Sequence, residues 1–279
     1  MSDEHSWVPP QVDVNVPSVA RCYDFALGGK DNFEVDRAAV AAADAVAPEA
    51  SALAKVNRSW HIRATRFLAE QAGITQYLDL GAGLPTAENT HEVVRRLNDE
   101  AHVVYVDNDP VAAAHGRALL DDHYLTRYIE GDLTKPEQIL NNPVVLGHLD
   151  FTRPIALYQS ATLHHQPDDL DLPGIMRHYV DALPSGSYVA LSHFWDPGGE
   201  AGAPVRRIRE SMLAHGLDAD HFRSREQIEQ LLPGLELVPA GPDSTEGLVP
   251  LLDWWPDGPR VGDPGPVQRC VLGAVGRKP

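Results

Sequence analysis

Short apolar runs alternate with helix-forming segments along most of this chain, and this alternation limits its possible folds more than any other feature. The predicted strands are QYLDL (76–80), HVVYVDND (102–109), RYIEGDL (127–133), PIALYQS (154–160), SYVALSHF (187–194), LELVPAGP (235–242) and QRCVLGAVGRKP (268–279). A strand that is apolar at nearly every position must be covered on both faces, which is typical of a parallel sheet between two layers of helices. The sequence therefore predicts an α/β fold of the Rossmann-like kind.

The first 56 residues precede this alternation and have a different pattern. The segment 34–56 is rich in alanine and predicts helix, interrupted at Pro48. Before it, SVARCYDFAL (18–27) predicts a short helix with Val19, Tyr23 and Leu27 on its apolar face, ended by two glycines. We therefore expect an N-terminal helical extension at 1–56 and the α/β domain at 57–279.

Composition excludes several classes of protein. No run of about 18 apolar residues predicts a membrane span, and the first residues lack the pattern of a secretory signal. Two cysteines, Cys22 and Cys270, cannot form a disulfide framework, which favours a cytoplasmic location. The net charge of −17 argues against a nucleic-acid partner, because phosphate backbones are bound by clustered Lys and Arg.

The turn after the first strand carries the clearest ligand signal, D-x-G-x-G, in LDLGAGLPT (78–86). Gly81 and Gly83, with Ala82 between them, would let a ligand approach the backbone at the carboxyl end of the strand. The third glycine of a dinucleotide fingerprint is missing, and the carboxylate of Asp79 would repel a pyrophosphate. An ammonium and a sulfonium would be attracted instead, and S-adenosylmethionine carries both.

The second and third predicted strands also have an acidic residue at or just after their carboxyl ends. Asp107, followed by Asn108, ends the second strand and is placed to accept both hydroxyls of a ribose, a feature that NAD and S-adenosylmethionine share. Asp132, between Gly131 and Leu133 after the third strand, is placed to accept from an adenine amino group. Each acid alone is explained by a helix cap or a turn, but three on successive strand ends favour a nucleoside site.

These motifs resemble those of the class I S-adenosylmethionine-dependent methyltransferases, and more narrowly a bacterial S-adenosyl methyltransferase family formerly catalogued as a domain of unknown function. The segments that carry the resemblance are ARCYDFALGGKDNF (20–33), YLDLGAGLPTAENTHEVV (77–94), VVYVDNDPVAAAHGRALL (103–120), EGDL (130–133), ALYQSATLHHQPD (156–168) and the region 224–257. The resemblance implies a seven-stranded, mostly parallel sheet whose last strand is antiparallel. It also implies methyl transfer from S-adenosylmethionine, leaving S-adenosylhomocysteine, but it names no acceptor.

The loop after the fourth strand lies beside the transferred methyl group in this fold. His164 and His165 are therefore the predicted general bases, with His193 as a second candidate. Either Ser160 or the nearby carbonyls are predicted to hold the methionine ammonium. The alternative is that His164 and His165 are solvated loop histidines, or that one of them orients a carboxylate. A metal site at the same three histidines is disfavoured, because adjacent histidines rarely both bind one ion, so no metal is predicted.

The resemblance also gives the N-terminal segment a function. Residues 18–33 are predicted to cover the bound cofactor, with Arg21 or Lys30 meeting the methionine carboxylate and Tyr23 or Phe33 shielding the sulfonium. A plain docking helix remains the alternative. Trp254 and Trp255 either line an acceptor pocket or pack at a sheet edge.

A small-molecule methyltransferase, with a homodimer as one possible state, is the function that these observations favour. Three alternatives stay open: a non-catalytic S-adenosylmethionine-binding regulatory protein, a nicotinamide-dependent oxidoreductase, and a methyltransferase acting on a macromolecule. The missing third glycine counts against the oxidoreductase, and the acidic charge counts against an RNA substrate.

Overall fold

A computed structural model describes residues 13–85, 88–120, 124–217, 220–254 and 265–279 of the chain. The described residues form one eight-stranded sheet. Its strands are β1 (Gln76–Leu80), β2 (His102–Asp107), β3 (Thr126–Glu130), β4 (Ala156–Ser160), β5 (Tyr188–Phe194), β6 (Glu236–Leu237), β7 (Val249–Pro250) and β8 (Val271–Arg277). The strand order is β3-β2-β1-β4-β5-β8-β6, and β7 pairs with β8 outside this path.

The first five strands are parallel, and β8 runs antiparallel to β5, β6 and β7. This confirms the predicted Rossmann-like sheet, with a two-residue strand β7 that the sequence pattern did not indicate. The chain runs outward from β1 through β2 to β3 and then returns to β4 on the other side of β1. The carboxyl ends of β1 and β4 therefore flank the switch point at which open α/β sheets bind their ligands.

Ten α-helices surround the sheet in the described part of the chain. They are α1 (Val19–Leu27), α2 (Glu34–Val46), α3 (Ala52–Glu70), α4 (Thr90–Arg95), α5 (Pro110–Leu120), α6 (Pro136–Leu140), α7 (Pro143–His148), α8 (Leu172–Ala182), α9 (Ala203–Ala214) and α10 (Arg225–Glu229). The expected boundary at 56/57 falls inside α3, which is continuous there. No described helix is long and apolar enough to cross a membrane.

The helix α1 ends as predicted but does not bury the predicted face. Gly28 ends it in the left-handed conformation, with φ 87°. Its buried residues are Arg21, Cys22 and Asp24, not Val19, Tyr23 and Leu27, which are half-buried. Arg21 and Asp24 can be buried because each forms hydrogen bonds with the segment that follows α1, and these bonds offset the cost of burying a charge.

These partners fold the segment after α1. Asp24 accepts hydrogen bonds from the backbone N–H of Asp31 (3.0 Å) and from Asn32 Nδ2 (2.8 Å). Arg21 Nε donates to Asp36 Oδ2 at 2.9 Å, and both side chains are buried. A Cβ on Gly29 would overlap the Asp24 carboxylate, so the second glycine is required by packing. The glycine-rich segment is therefore a packed turn.

One aromatic cluster fixes α3 against the sheet. Trp254 is fully buried and lies edge-to-face on Trp60 (centroids 6.1 Å apart) and on Phe67 (5.8 Å). Trp254 thus packs in the core against α3, and it lines neither of the two cavities described below. Trp255 lies outside the described residues.

Candidate active site

A cavity of about 300 Å³ opens at the carboxyl ends of β1, β2 and β4, beneath α1. Eleven of the predicted site residues line it: Tyr23, Asp79, Gly81, Ala82, Gly83, Asp107, Asn108, Gly131, Leu133, Ser160 and His165. The remaining lining residues are Ser18, Val19, Ala20, Asn57, Arg58, His61, Asp109, Ala161, Thr162 and Gln166. Residues from six separate parts of the sequence therefore meet at the switch point.

The glycine turn after β1 lies against the neighbouring strand. Gly81 and Gly83 both have positive φ, at 71° and 68°. The N–H of Gly81 donates to the carbonyl of Val106 (2.7 Å), and the N–H of Gly83 donates to Asp107 Oδ2 (2.8 Å). A Cβ at Gly81 would overlap Thr162, whereas one at Gly83 would meet open space. Because neither glycine has a side chain, the backbone of the turn is accessible from the cavity.

Asp79 is a buried carboxylate at the base of the cavity. Thr90 Oγ1 donates its only hydroxyl proton to Asp79 Oδ2, at 2.6 Å. His61 Nε2 lies 2.8 Å from Thr90 Oγ1 and must therefore be the donor in that second hydrogen bond. Burial raises the pKa of Asp79 to about 6, with the nearby Asp107 adding to the rise while Thr90 and Arg58 oppose it. The His61 ring is neutral, since burial lowers its pKa to about 3. The site therefore holds a costly charge that a cation would stabilise.

Asp107 organises the second side of the cavity. Its two carboxylate oxygens accept from the N–H groups of Gly83 and Asp109, each at 2.8 Å. Burial raises its pKa to about 6 despite these bonds. The backbone N–H of Asn108 also bonds to this carboxylate, which has about four acceptor sites in all and so keeps capacity for a ribose hydroxyl.

Helix α3 contributes three cavity residues that sequence reasoning missed, namely Asn57, Arg58 and His61. Arg58 NH1 donates to the carbonyl of Glu88 (3.3 Å), and its guanidinium lies 5.9 Å from the centre of the Tyr23 ring. The signal available in the sequence was the run of polar residues at 57, 58 and 61 on a helix that otherwise packs against the sheet. Nothing in their spacing says that they face the same turn as Asp79.

The loop after β4 is held in an unusual conformation. Ala161 has φ 58°, and its N–H donates to Ser192 Oγ at 2.8 Å. Ser192 Oγ in turn donates to Asn57 Oδ1 (2.5 Å), and Asn57 Nδ2 donates to Ser160 Oγ (3.3 Å) and to the Tyr23 hydroxyl (3.1 Å). A left-handed alanine costs about 1 kcal/mol or more and persists where its surroundings fix it, as they do here. The network ties α1, α3, β4 and β5 together at the cavity.

A second cavity of about 100 Å³ adjoins the first. His165 lines both, together with Val19, Tyr23, Asn57 and Ala161. Asp220 lies at its wall with Oδ1 3.6 Å from His165 Nδ1, and burial raises the pKa of Asp220 to about 6. Asp220 is 55 positions from His165 in the sequence, and no motif pointed to it.

His164 and His193 are placed differently from His165. His164 lines only the second cavity and stacks on Phe194, with ring centroids 3.7 Å apart, and burial lowers its pKa well below the usual range. His193 Nδ1 donates to the carbonyl of Phe194 (2.7 Å), and its Nε2 accepts from Arg223 NH1 (2.9 Å). Both nitrogens of His193 are used, which leaves no proton-transfer role for it.

Arg223 also anchors the loop that carries the histidine pair. It donates to the carbonyls of Leu163 (3.1 Å) and Gln166 (2.8 Å), and it pairs with Asp168 at 2.9 Å. Ligand atoms of His164, His165 and Asp220 come within 4.8 Å of one another, the spacing of groups that could hold a metal ion.

Four predicted site residues do not line the main cavity: Arg21, Lys30, Asp132 and His164. Arg21 is buried against Asp36, and Phe33 is buried beneath the Arg21 guanidinium, so neither reaches the cavity. Lys30 is exposed. Asp132 accepts from Thr134 and pairs with Lys135 at 2.9 Å. Arg21 and Asp132 are thus held by other protein groups, and the sequence pattern did not reveal these pairs.

Known proteins with solved structures match the chain over nearly its whole length. A candidate methyltransferase from Thermobifida fusca YX is 40% identical, with a TM-score of 0.87 over 98% of this chain and 99% of that chain. A DUF574 family protein from Streptomyces avermitilis is 35% identical, with a TM-score of 0.85 over 96% and 99%. The CMeT domain of the citrinin polyketide synthase is 14% identical, with a TM-score of 0.52 over 92% and 60%, and shares the fold. No curated protein matches the sequence.

The fold, with an acid-and-glycine turn at its switch point, is that of a class I S-adenosylmethionine-dependent methyltransferase. More particularly, the chain belongs to the S-adenosyl methyltransferase family, whose model matches residues 5–279. S-adenosylmethionine is the cofactor. The residues present fit it, because the cavity pairs a bare glycine turn with two buried carboxylates of raised pKa, and the ligand's ammonium and ribose hydroxyls would satisfy them.

Proposed function

We propose that this methyltransferase acts on a small molecule, which binds in the second cavity while the cofactor occupies the first. The observation that carries the proposal is the position of His165, on the wall that both cavities share. Helices α1, α2, α3 and α9 line most of the second cavity, and a space of about 100 Å³ admits a small group, not a strand of RNA. The acceptor would thus reach the methyl group from beneath the N-terminal helices.

Each end of the cofactor has a matching group in the first cavity. Asp79 would accept from the methionine ammonium, and Arg58 rather than Arg21 would pair with the methionine carboxylate. Asp107 would accept from the ribose hydroxyls, and Gly131 and Leu133 would lie along the adenine. S-adenosylmethionine supplies an electrophilic methyl group on a sulfonium, and the chain's own part is to align it with the acceptor.

Residues 18–33 would cover the bound cofactor, as expected from the sequence. Ser18 Oγ donates to Asp109 Oδ2 at 2.5 Å, which fastens the start of α1 to the loop after β2. Tyr23 lies on the cavity wall and accepts from Asn57. This segment would then close the cofactor site from above, with Tyr23 as its aromatic contact.

Two ligands that differ only in the methionine part test these assignments. S-adenosylhomocysteine carries the amino acid, and 5′-methylthioadenosine lacks it. Arg58→Gln should weaken S-adenosylhomocysteine binding about 10–100-fold in calorimetry, because a charge-assisted hydrogen bond is lost. Binding of 5′-methylthioadenosine should change little.

Asp107→Asn should weaken the binding of both S-adenosylhomocysteine and 5′-methylthioadenosine, since both ligands carry the ribose. Lys30→Ala is the matched control, because Lys30 is exposed and lies off the cavity, and it should bind as the wild type does. If Lys30→Ala weakened binding and Arg58→Gln did not, the assignment of the carboxylate site would be overturned.

A further inference from the structure

Three side chains with metal-binding atoms meet on the wall of the second cavity. They are His164, His165 and Asp220, and all three line that cavity. Their ligand atoms lie within 4.8 Å of one another. In a tetrahedral zinc site, ligand atoms bound at about 2.1 Å are roughly 3.4 Å apart, and the 3.6 Å between His165 Nδ1 and Asp220 Oδ1 is already close to that spacing. Small movements of the side chains would therefore bring all three to one ion.

The backbone of the loop lets the two histidines face a single ion. Adjacent histidines rarely bind the same metal, since successive side chains on a strand point to opposite faces. Residues Leu163–His165 form a 3₁₀ turn instead of a strand. The turn brings the rings of His164 and His165 together, with their centroids 4.0 Å apart. The usual geometric obstacle to a histidine pair is therefore absent from this described loop.

His164 has a buried nitrogen that no hydrogen bond satisfies among the described residues. The residue is 1% exposed, and its Nδ1 has no hydrogen-bond partner there. Stacking on Phe194, with centroids 3.7 Å apart, holds the ring in this position. A buried polar atom without a partner destabilises the fold, and a bound ion is one way to satisfy it.

The two segments that carry the ligands are fixed to each other. The N–H of His221 donates to the carbonyl of His164 at 2.8 Å. Arg223 donates to the carbonyls on either side of the histidine pair, those of Leu163 (3.1 Å) and Gln166 (2.8 Å). The fold thus holds the ligand side chains together before any ion binds, as a metal site requires.

Asp220 supplies the negative charge that favours a cation. Its side chain is buried, and Arg209 acts on it electrostatically while donating to its backbone carbonyl at 2.7 Å. A carboxylate has about four acceptor sites, so it can interact with the guanidinium and bind an ion as well. Two imidazoles and one carboxylate are typical ligands of Zn²⁺, whereas Mg²⁺ prefers oxygen ligands.

We propose that His164, His165 and Asp220 bind one Zn²⁺ ion whose fourth coordination position opens into the second cavity. Only one nitrogen of each ring is needed, so each ring keeps a second nitrogen for contacts with the protein. Three protein ligands and one open position are the arrangement of zinc sites that bind a substrate, whereas structural zinc has four protein ligands. No metal was predicted from the sequence, in which Asp220 stands 55 positions from His165.

The open position gives the site a chemical preference. Because His165 also lines the first cavity, the ion would lie where the two cavities adjoin. It would bind a molecule in the second cavity through a lone pair on oxygen, nitrogen or sulfur. The site does not depend on which acceptor is methylated.

Zinc binding to the full chain, first stripped with a chelator, tests the site. Equilibrium dialysis with elemental analysis should find one tightly bound Zn²⁺ per chain, and excess Mg²⁺ should not displace it. Asp220→Asn and His165→Gln should each weaken Zn²⁺ binding about 100-fold or more, since each replaces a ligand by a weaker one. His178→Gln is the matched control, because His178 is exposed on α8 and lines neither cavity, and it should bind Zn²⁺ as the wild type does.

Binding of S-adenosylhomocysteine separates loss of the ion from loss of folding. Asp220 does not line the first cavity, so Asp220→Asn should keep the wild-type affinity for S-adenosylhomocysteine. No Zn²⁺ binding by the wild type, or Zn²⁺ binding that is unchanged in both ligand variants, would overturn the inference. If that happens while S-adenosylhomocysteine still binds, the zinc site alone fails and the proposed function stands.

Co²⁺ in place of Zn²⁺ tests the open position. The cobalt protein should show the intense visible absorption of a four-coordinate site, and imidazole should shift it by binding at the fourth position. Met212→Trp, which fills the second cavity from its α9 side, should block the imidazole shift and leave Co²⁺ bound. A weak six-coordinate spectrum, or an imidazole shift that survives Met212→Trp, would contradict an open position in that cavity.

Discussion

Asp79 shows how a single side chain can favour ligand binding at the expense of stability. Its carboxylate is buried, and burial raises its pKa from 3.8 to about 6. An acid whose pKa is raised in the folded state makes the protein less stable as the pH rises from the unfolded pKa to the folded one, and the penalty is complete above it. At neutral pH the empty protein therefore carries a buried charge that Thr90 and Arg58 stabilise only in part, and the cofactor's ammonium would stabilise it further.

Asp79→Asn should stabilise the empty protein and weaken cofactor binding. At pH 7.5 we expect a gain of about 1–3 kcal/mol, which is about 2–6 °C in Tm for a chain of this size. The gain should shrink toward pH 4.5, where the wild-type carboxyl is protonated too. S-adenosylhomocysteine binding should weaken about 10–100-fold.

Scanning calorimetry across this pH range, with a binding titration at pH 7.5, checks both effects. 5′-Methylthioadenosine serves as the control ligand, since it has no ammonium to lose. A Tm that falls at every pH would mean that Asp79 is a structural residue rather than a cofactor ligand.

Gly29 is the residue on which the turn after α1 depends. A methyl group there would meet the Asp24 carboxylate, which is buried and held by Asp31 and Asn32. Gly29→Ala should destabilise the protein by about 1–3 kcal/mol. Gly147→Ala is the matched control, because a Cβ at this helical position meets no atom within 4 Å and alanine favours helix. Equal denaturation midpoints for the two variants would contradict this explanation of the glycine pair.

At the residue scale, the sequence identified the backbone of the site better than its charged contacts. Asp79, Gly81, Gly83 and Asp107 were found because they stand at strand ends, where chain direction alone brings them together. Arg21 was assigned wrongly to the cavity, because its partner Asp36 lies 15 positions away on another helix. Asp220 comes close to His165 only through the tertiary fold, so no spacing in the local sequence could have identified it.

Helix α1 is the element that connects the glycine-rich motif with the first cavity. It touches the cavity through Ser18, Val19, Ala20 and Tyr23, and it is fastened by the bond from Ser18 to Asp109. If it covers the cofactor, its backbone amides should exchange more slowly once the ligand is bound.

Hydrogen–deuterium exchange with and without S-adenosylhomocysteine tests this role. Peptides covering 18–27 should gain protection, and those covering α7 should not, because α7 packs on β2 and β3 away from the cavity. Unchanged exchange in α1 with clear protection at Gly81–Gly83 would identify α1 as a docking helix instead of a cover.

Elements were predictable where a local rule determines them. The helix α4 starts as expected at Asn89, whose N–H donates to Glu92 (2.7 Å), and α5 starts at the Asp109 cap followed by Pro110. The strand β1 was predicted to the residue. The strands β6 and β7 have two residues each, and their pairing with β8 depends on tertiary contacts rather than on any alternation of side chains.

For the whole molecule, two buried acids in one cavity make cofactor affinity depend on pH. Asp79 and Asp107 each have a pKa raised to about 6, and both would bind the ligand as carboxylates. Ligand binding should therefore release protons near pH 6, so affinity falls as the pH drops below that value.

We expect the S-adenosylhomocysteine association constant to fall about 5-fold for each acid between pH 6 and pH 5, and to approach a 10-fold fall per pH unit for each acid at lower pH. Titrations at pH 5.5 in buffers of different ionisation enthalpy measure the protons released, and at pH 8 the release from these acids should vanish. No proton release at pH 5.5 would show that the acids stay protonated in the complex, or that they lie off the ligand.

The cavity at the ends of β1, β2 and β4 is the site that we assign to S-adenosylmethionine. The most direct test is isothermal titration calorimetry of the full chain with S-adenosylmethionine, S-adenosylhomocysteine and NAD under the same conditions. We expect the two sulfur ligands to bind at one site per chain and to compete with each other, while NAD gives no heat. Binding of NAD, with neither sulfur ligand bound, would contradict the account.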